Sequence, residues 1–135
     1  MKTLIVHAHP DPLSYGAALG QGYAAALRGA TPAGRGLIRE IVLAEAEFDP
    51  VLRFGYRERM PHDELVARSQ DALEWADHLV LVTPIWWASF PALLHGWFER
   101  VLAPGFAYQM RGISSEQLMR GKTATLVATS YGPGF

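Results

Sequence analysis

The sequence predicts a doubly wound α/β domain, a mostly parallel sheet with helices on both faces, and three observations predict it. Short β-rich runs alternate with helix-periodic segments along the chain, a pattern that asks for parallel strands joined by helical crossovers. Proline, glycine or small polar residues end each run. The 135 residues, half of them apolar and 19% charged, suit one domain, 1–135, with a core of ordinary size.

Thr3 to Ala8 (TLIVHA) is the first strand, an apolar run ended by Pro10 and Pro12, as expected of a strand buried on both faces. From Ser14 a first helix carries Leu19, Tyr23, Ala26 and Leu27 at helical spacing and stops near Gly29 and Pro32. A second strand fits Leu37 to Leu43. The stretch from there to about Met60 holds Pro50 and Gly55, with Pro61 just beyond, which argues against a regular element and for a long surface excursion. Asp63 is placed to cap a second helix with Leu65, Val66, Ser69, Ala72, Leu73 and Ala76 along one side. His78 to Thr83 is the third strand. Pro91 suits the first turn of a third helix, whose Leu94, Trp97, Phe98 and Val101 share a face. Past a turn at Pro104-Gly105 and a polar stretch, Thr123 to Thr129 (TATLVAT) makes the fourth strand, and TSYGPGF closes the chain.

Composition removes several classes of function. A net charge of −1 offers no electrostatic footprint for nucleic acid. The absence of cysteine excludes disulfides, thiolate metal sites and cysteine nucleophiles, and permits a reducing compartment. Leu4 to Val6 is too short for a signal-peptide core, so the cytoplasm is the expected location. The longest apolar stretch, Leu79 to Leu94, is interrupted by Pro84, Ser89 and Pro91 and falls short of the roughly 20 residues of a membrane helix. Membrane insertion is not expected.

In open α/β sheets ligands bind beyond the carboxyl ends of the strands, which directs attention to the loops after strands one, three and four. The first, His9-Pro10-Asp11-Pro12-Leu13-Ser14-Tyr15-Gly16, brings a hydroxyl and helix N-terminal N–H groups together, a setting that suits a phosphate. Alternatively, Ser14 simply caps the helix. Neither G-x-x-x-x-G-K-[ST] nor G-x-G-x-x-G is present, against a nucleotide triphosphatase and a Rossmann dinucleotide site. The second loop sets Trp86, Trp87 and Phe90 where polar residues are usual, a surface for a planar apolar ring, or else residues that fold into the core or an interface. The third, Thr129 to Gly134, is a glycine-rich turn able to approach the same ligand, or else a disordered tail.

Other constellations are weaker. His7 and His9 form an H-x-H pair without a third ligand at a recognisable spacing, and no metal is expected. His62, His78 and His95 read as solvated or capping residues. Ser14, Ser89 and Ser130 lack a G-x-S-x-G elbow, and Asp49, Asp63, Asp71 and Asp77 are scattered, so neither a hydrolase triad nor a carboxylate pair is suggested.

The segment ADHLVLVTPIWWASFPALLHGWFERVL followed by GFAY, together with the opening strand and HAHP…S, resembles the flavodoxin-like NAD(P)H:quinone oxidoreductase family, of the DT-diaphorase, modulator-of-drug-activity and potassium-efflux ancillary type. The resemblance implies strand order 2-1-3-4. It also implies a C-terminally short chain, since relatives continue past the TSYG-like loop into a fifth strand, without which TATLVAT is an apolar sheet edge. By the same resemblance His9, Leu13, Ser14, Tyr15 and Ala17 would line the flavin phosphates, and Pro84, Ile85, Trp86, Trp87 and Ala88 would hold the isoalloxazine ring. Thr129, Ser130, Tyr131 and Gly132 would close over its pyrimidine side. Tyr108 would stand, as the catalytic-site residue, where nicotinamide and acceptor take turns. The implied cofactor is FAD ahead of FMN, with Gly16 leaving the choice open because some FAD-binding relatives have asparagine there. NAD(P)H is the implied co-substrate, a small quinone the acceptor, a homodimer the assembly, and ping-pong hydride transfer through flavin N5 the mechanism. The alternatives are a regulatory flavoprotein subunit docking on a transporter, and an inactive truncated member.

Overall fold

The computed structural model describes residues 1–30 and 37–132. The expected helix stop at Pro32 and the last residues of the closing loop, 133–135, lie outside them. The chain runs β1 (Thr3–His7), α1 (Tyr15–Ala30), β2 (Ile38–Val42), a 3₁₀ turn (Leu43–Glu45), β3 (Arg53–Tyr56), α2 (Glu64–Trp75) and β4 (His78–Pro84). It continues through α3 (Ala92–Val101), β5 (Tyr108–Arg111), β6 (Ser114–Gln117) and β7 (Thr123–Thr129).

β1 pairs in parallel with β2 and β4, and β4 with β7, giving the order β2-β1-β4-β7. Those are the four strands read from the sequence, in the order 2-1-3-4. Alternation along β1 explains the two helical layers, because successive side chains of a strand face opposite ways. Leu4 and Val6 join Leu65, Leu73, Leu94, Trp97 and Val101 of α2 and α3 in the larger core, whereas Ile5 joins Val80, Val82 and Ala24 beneath α1. All five β1 residues are buried.

α2 begins as the sequence predicts: the Asp63 carboxylate accepts from the N–H groups of Leu65 and Val66 at 2.9 and 3.2 Å. Pro91, expected in the first turn of α3, is instead its N-cap, and Leu94, Trp97 and Val101 are buried behind it. On α1 the buried face is not the one expected. Gly16, Gly20 and Ala24 are buried, while Leu19, Tyr23 and Leu27 are half-buried and Ala26 is exposed. The cause is the close approach of the helix to the sheet: a Cβ on Gly20 would lie 2.5 Å from Nδ1 of His7.

Two segments differ from expectation. The excursion after β2 contains the 3₁₀ turn and β3, and Pro50 seats against α3 where a Cβ on Gly96 would come within 2.4 Å of it. The polar stretch after α3 folds into a β5–β6 hairpin.

His7 lies on the α1 side, where its Nε2 donates to Glu40 at 2.8 Å, and Glu40 also accepts from Arg28. Burial pushes the Glu40 pKa up, but the Arg28 and His7 bonds and charges outweigh it, leaving the group below its usual 4.5. A depressed carboxylate adds stability above its unfolded pKa and loses it as pH falls through the folded value. Urea midpoints measured from about pH 6 down to about pH 3 are therefore expected to fall more steeply in the wild type than in Glu40→Gln. Equal slopes would remove Glu40 from the acid response.

Candidate functional site

Three loops meet at the carboxyl edge of the sheet. Ala8 N–H donates to Val82 O at 2.8 Å and Ile85 N–H to Thr129 O at 2.7 Å, tying the ends of β1, β4 and β7 together. The His9 and Trp86 rings stack edge to face with centroids 5.3 Å apart. Around Gly16, the place a Cβ would occupy is 3.5 Å from the His9 ring, 3.6 Å from Thr129 Oγ1 and 3.9 Å from Ser14 Oγ.

The loop after β1 holds itself open by local bonds. His9 Nδ1 accepts from Asp11 N–H at 2.9 Å, and Asp11 Oδ1 from Leu13 N–H at 2.9 Å. Ser14 Oγ accepts from Ala17 N–H at 3.0 Å, so Ser14 caps α1. Capping leaves the first N–H groups of the helix, at Tyr15 and Gly16, without a protein acceptor among the described residues. Together with the positive end of a 16-residue helix they favour an anion. Leu13 and Tyr15 project outward, almost fully and three-quarters exposed, and Ala17 is half-buried.

The loop after β4 is built around a tight turn. Trp86 N–H donates to Ser89 O at 2.9 Å and Ser89 N–H to Trp86 O at 3.0 Å, closing a two-residue connection. Trp87 and Ala88, at its centre, have φ of 54° and 55°. This is the left-handed geometry of a type I′ turn, normally built from Asn and Gly, and it costs a side-chain-bearing residue about 1–2 kcal/mol each. The Trp87 and Ala88 N–H groups make no hydrogen bond among the described residues. The Trp87 side chain is fully exposed and Trp86 nearly half so, whereas Phe90 packs against the larger core. Of the three aromatics, then, Phe90 folds back and the two tryptophans remain at the edge. Pro84 is buried at the end of β4 and Ile85 half-buried beyond it.

In the loop after β7, Ser130 and Tyr131 are exposed and Gly132 has φ 135°. Tyr108 is half-buried at the start of β5, where its carbonyl accepts from Gly105 N–H at 2.7 Å. Burial first, and then the nearby Tyr108 and Glu99, raise the Tyr56 pKa.

His62 is exposed, as expected of a solvated residue, 3.6 Å from Glu64. His78 does more than the sequence reading allowed: half-buried, it bonds Thr123 and Thr125 through its two ring nitrogens at 2.7 and 2.9 Å, stitching β4 to β7. His95, exposed in the first turn of α3, bonds Ser89 at 2.9 Å. No cluster of three metal-ligating side chains occurs among the described residues, and no described helix is long and apolar enough to cross a membrane.

A parallel sheet whose carboxyl edge gathers a capped helix N-terminus, free loop N–H groups and exposed aromatics defines a ligand-binding doubly wound protein. The chain belongs to the flavodoxin-like fold family, whose model matches residues 1–135. It is similar to NAD(P)H dehydrogenase [quinone] 1 of Rattus norvegicus, 38% identical over 79 residues, which cover 58% of this chain and 28% of that enzyme. The chain thus spans less than a third of that relative. Among solved structures, a Streptococcus mutans protein superposes with a TM-score of 0.79 at 30% identity, over 95% of this chain and 67% of that one. General stress protein 14 of Treponema denticola, solved with FMN, superposes with a TM-score of 0.63 at 24% identity, over 98% and 64%.

Proposed function

We propose that this chain is the flavin-binding domain of a flavin-dependent NAD(P)H oxidoreductase that delivers two electrons to quinone-type acceptors. One observation carries the reading: the left-handed turn at Trp87-Ala88 holds two free N–H donors beside exposed indoles, across from a capped helix N-terminus. The separation of roles matches a flavin. Its phosphate suits the N–H groups of Tyr15 and Gly16 beside His9, Leu13, Ser14 and Ala17, while its ring suits Pro84 to Ala88, with Thr129 to Gly132 over the pyrimidine edge.

When bound, the flavin supplies hydride acceptance from NAD(P)H and two-electron delivery to the quinone, in the ping-pong order that the resemblance implies. The protein's own work is positional and electrostatic. The Trp87 and Ala88 N–H groups offer fixed donors to negative charge on the ring, at no reorganisation cost when it develops. With a ring bound, the exposed indoles of Trp86 and Trp87 would cover one side of it against water.

The rat relative is named for NAD(P)H and quinone, which supports the donor and acceptor classes. FAD, ranked first on sequence, gains no preference: the helix N-terminus serves the phosphate common to both flavins, and FMN is the one carried by the Treponema denticola protein of this fold. The resemblance alone supports a place for Tyr108 beside the acceptor, and a cytoplasmic homodimer as the assembly.

The test is extraction and identification of flavin from purified protein, followed by NAD(P)H oxidation with and without a quinone. A yellow protein whose NAD(P)H oxidation rises with added quinone is expected. Protein that is colourless and whose melting temperature FMN and FAD leave unchanged would overturn the reading, because a ligand bound by the native state stabilises it.

A further inference from the structure

The Trp86–Ser89 turn is strained at both central residues, and its two backbone bonds close it without fixing where it points. Besides the stack of Trp86 on His9, its side-chain hydrogen bond among the described residues is at Ser89, the residue that both donates to and accepts from Trp86. Ser89 Oγ lies 2.9 Å from Nε2 of His95. His95 itself stands on a firm base. It is in the first turn of α3, its N–H donates to Pro91 O at 3.2 Å, and its ring lies 6.0 Å from that of Phe90, which packs on the core. The neighbouring Leu94 and Gly96 are buried.

We propose that His95 is a positioning residue: through Ser89 it anchors the left-handed Trp86–Ser89 turn to α3, so that the Trp87 and Ala88 N–H groups are aimed before any ligand arrives. The proposal rests on the reading of that turn as the ring-holding loop. Pre-aiming matters because ordering the turn only on binding would subtract from affinity. The contact is exposed and lies outside both core clusters, so its loss is felt at the turn more than in the fold.

The test is a double-mutant cycle on the full chain, with His95→Ala, Ser89→Ala, the double variant and His95→Gln titrated with FMN. Each single alanine variant is expected to weaken FMN binding about threefold to tenfold, the worth of one hydrogen bond. The double variant is expected to be no worse than either single, because both remove the same bond. His95→Gln, whose amide can still bond the Ser89 hydroxyl, is expected to recover most of the affinity. Losses below threefold, additive losses, no recovery by glutamine, or an equal fall in urea midpoint would each overturn the proposal. A second arm needs no flavin: backbone chemical shifts of Trp87 and Ala88 should keep their left-handed values in the wild type and His95→Gln and lose them in both alanine variants. Unchanged shifts in the alanine variants would also overturn it. Should the wild type bind no FMN, the flavin reading fails, and the shifts alone decide for or against the anchor.

Discussion

Trp97→Ala is expected to remove about 3–5 kcal/mol of unfolding free energy, the largest single-residue stability loss argued for this chain. Trp97 is fully buried at the seam where α2 and α3 meet the sheet, and its ring lies 5.7 Å from that of Phe98. Truncation to alanine leaves a cavity bounded by two helices and β1, elements whose own pairings prevent collapse into the space. Its indole Nε1 also donates to Ser69 Oγ at 2.9 Å, a bond with no access to water because Ser69 is itself fully buried. Ser69→Ala therefore leaves a buried N–H unpaired, at a cost of about 1–3 kcal/mol. Since domains of this kind are stable by about 5–15 kcal/mol in all, the loss takes from about a fifth to the whole of that margin. Urea denaturation of both variants checks the pair. A shift under about 1 kcal/mol for Trp97→Ala would mean that the seam relaxes freely, against the packing described.

That seam was legible in the sequence because its signals are local and strong. Asp63 precedes a helix-periodic pattern and caps it, and Leu94, Trp97 and Val101 recur on one face behind Pro91. The strands were legible for a related reason: those buried on both faces read as continuous apolar runs, and β1 and β4 are such runs.

What stayed hidden depends on contacts between distant residues. The buried face of α1 consists of Gly16, Gly20 and Ala24, which a search for large apolar residues passes over; only the His7 ring below shows why small ones are needed. The β5–β6 hairpin has mostly exposed, polar strands and a Gly112-Ile113 turn without an Asn-Gly signal, so alternation gave nothing to read. His78 bonds threonines 45 and 47 positions away. At the site, the aromatic cluster was visible as composition, but its left-handed turn was not. Tryptophan and alanine are poor markers of positive φ, and the Ser89–His95 tie has no sequence pattern.

The same turn is where the largest effect on ligand binding is expected. Ala88→Pro should lower FMN affinity at least about 100-fold, corresponding to about 3 kcal/mol. Proline fixes φ near −65°, whereas Ala88 sits at +55°, so the ring cannot occupy the native turn at any rotamer. The substitution also deletes one of the two free N–H donors, a loss that rearrangement of the loop cannot restore. Because Ala88 is exposed and belongs to neither core cluster, the loss of stability in the flavin-free protein should be confined to the turn, whose Trp86–Ser89 bonds proline disrupts. Ala88→Gly is the matched control. Glycine adopts positive φ without the Cβ penalty and keeps the N–H, so this variant should be more stable than the wild type by about 1 kcal/mol and bind FMN within a few-fold of it. The contrast separates backbone geometry from side-chain contact, since glycine removes the Cβ but keeps the positive φ and the N–H, whereas proline keeps a Cβ and loses both. Equal FMN binding by Ala88→Pro and the wild type would show that the left-handed turn has no part in holding the ring. A loss in Ala88→Gly as large as that in Ala88→Pro would show that the positive φ and the N–H do not decide binding.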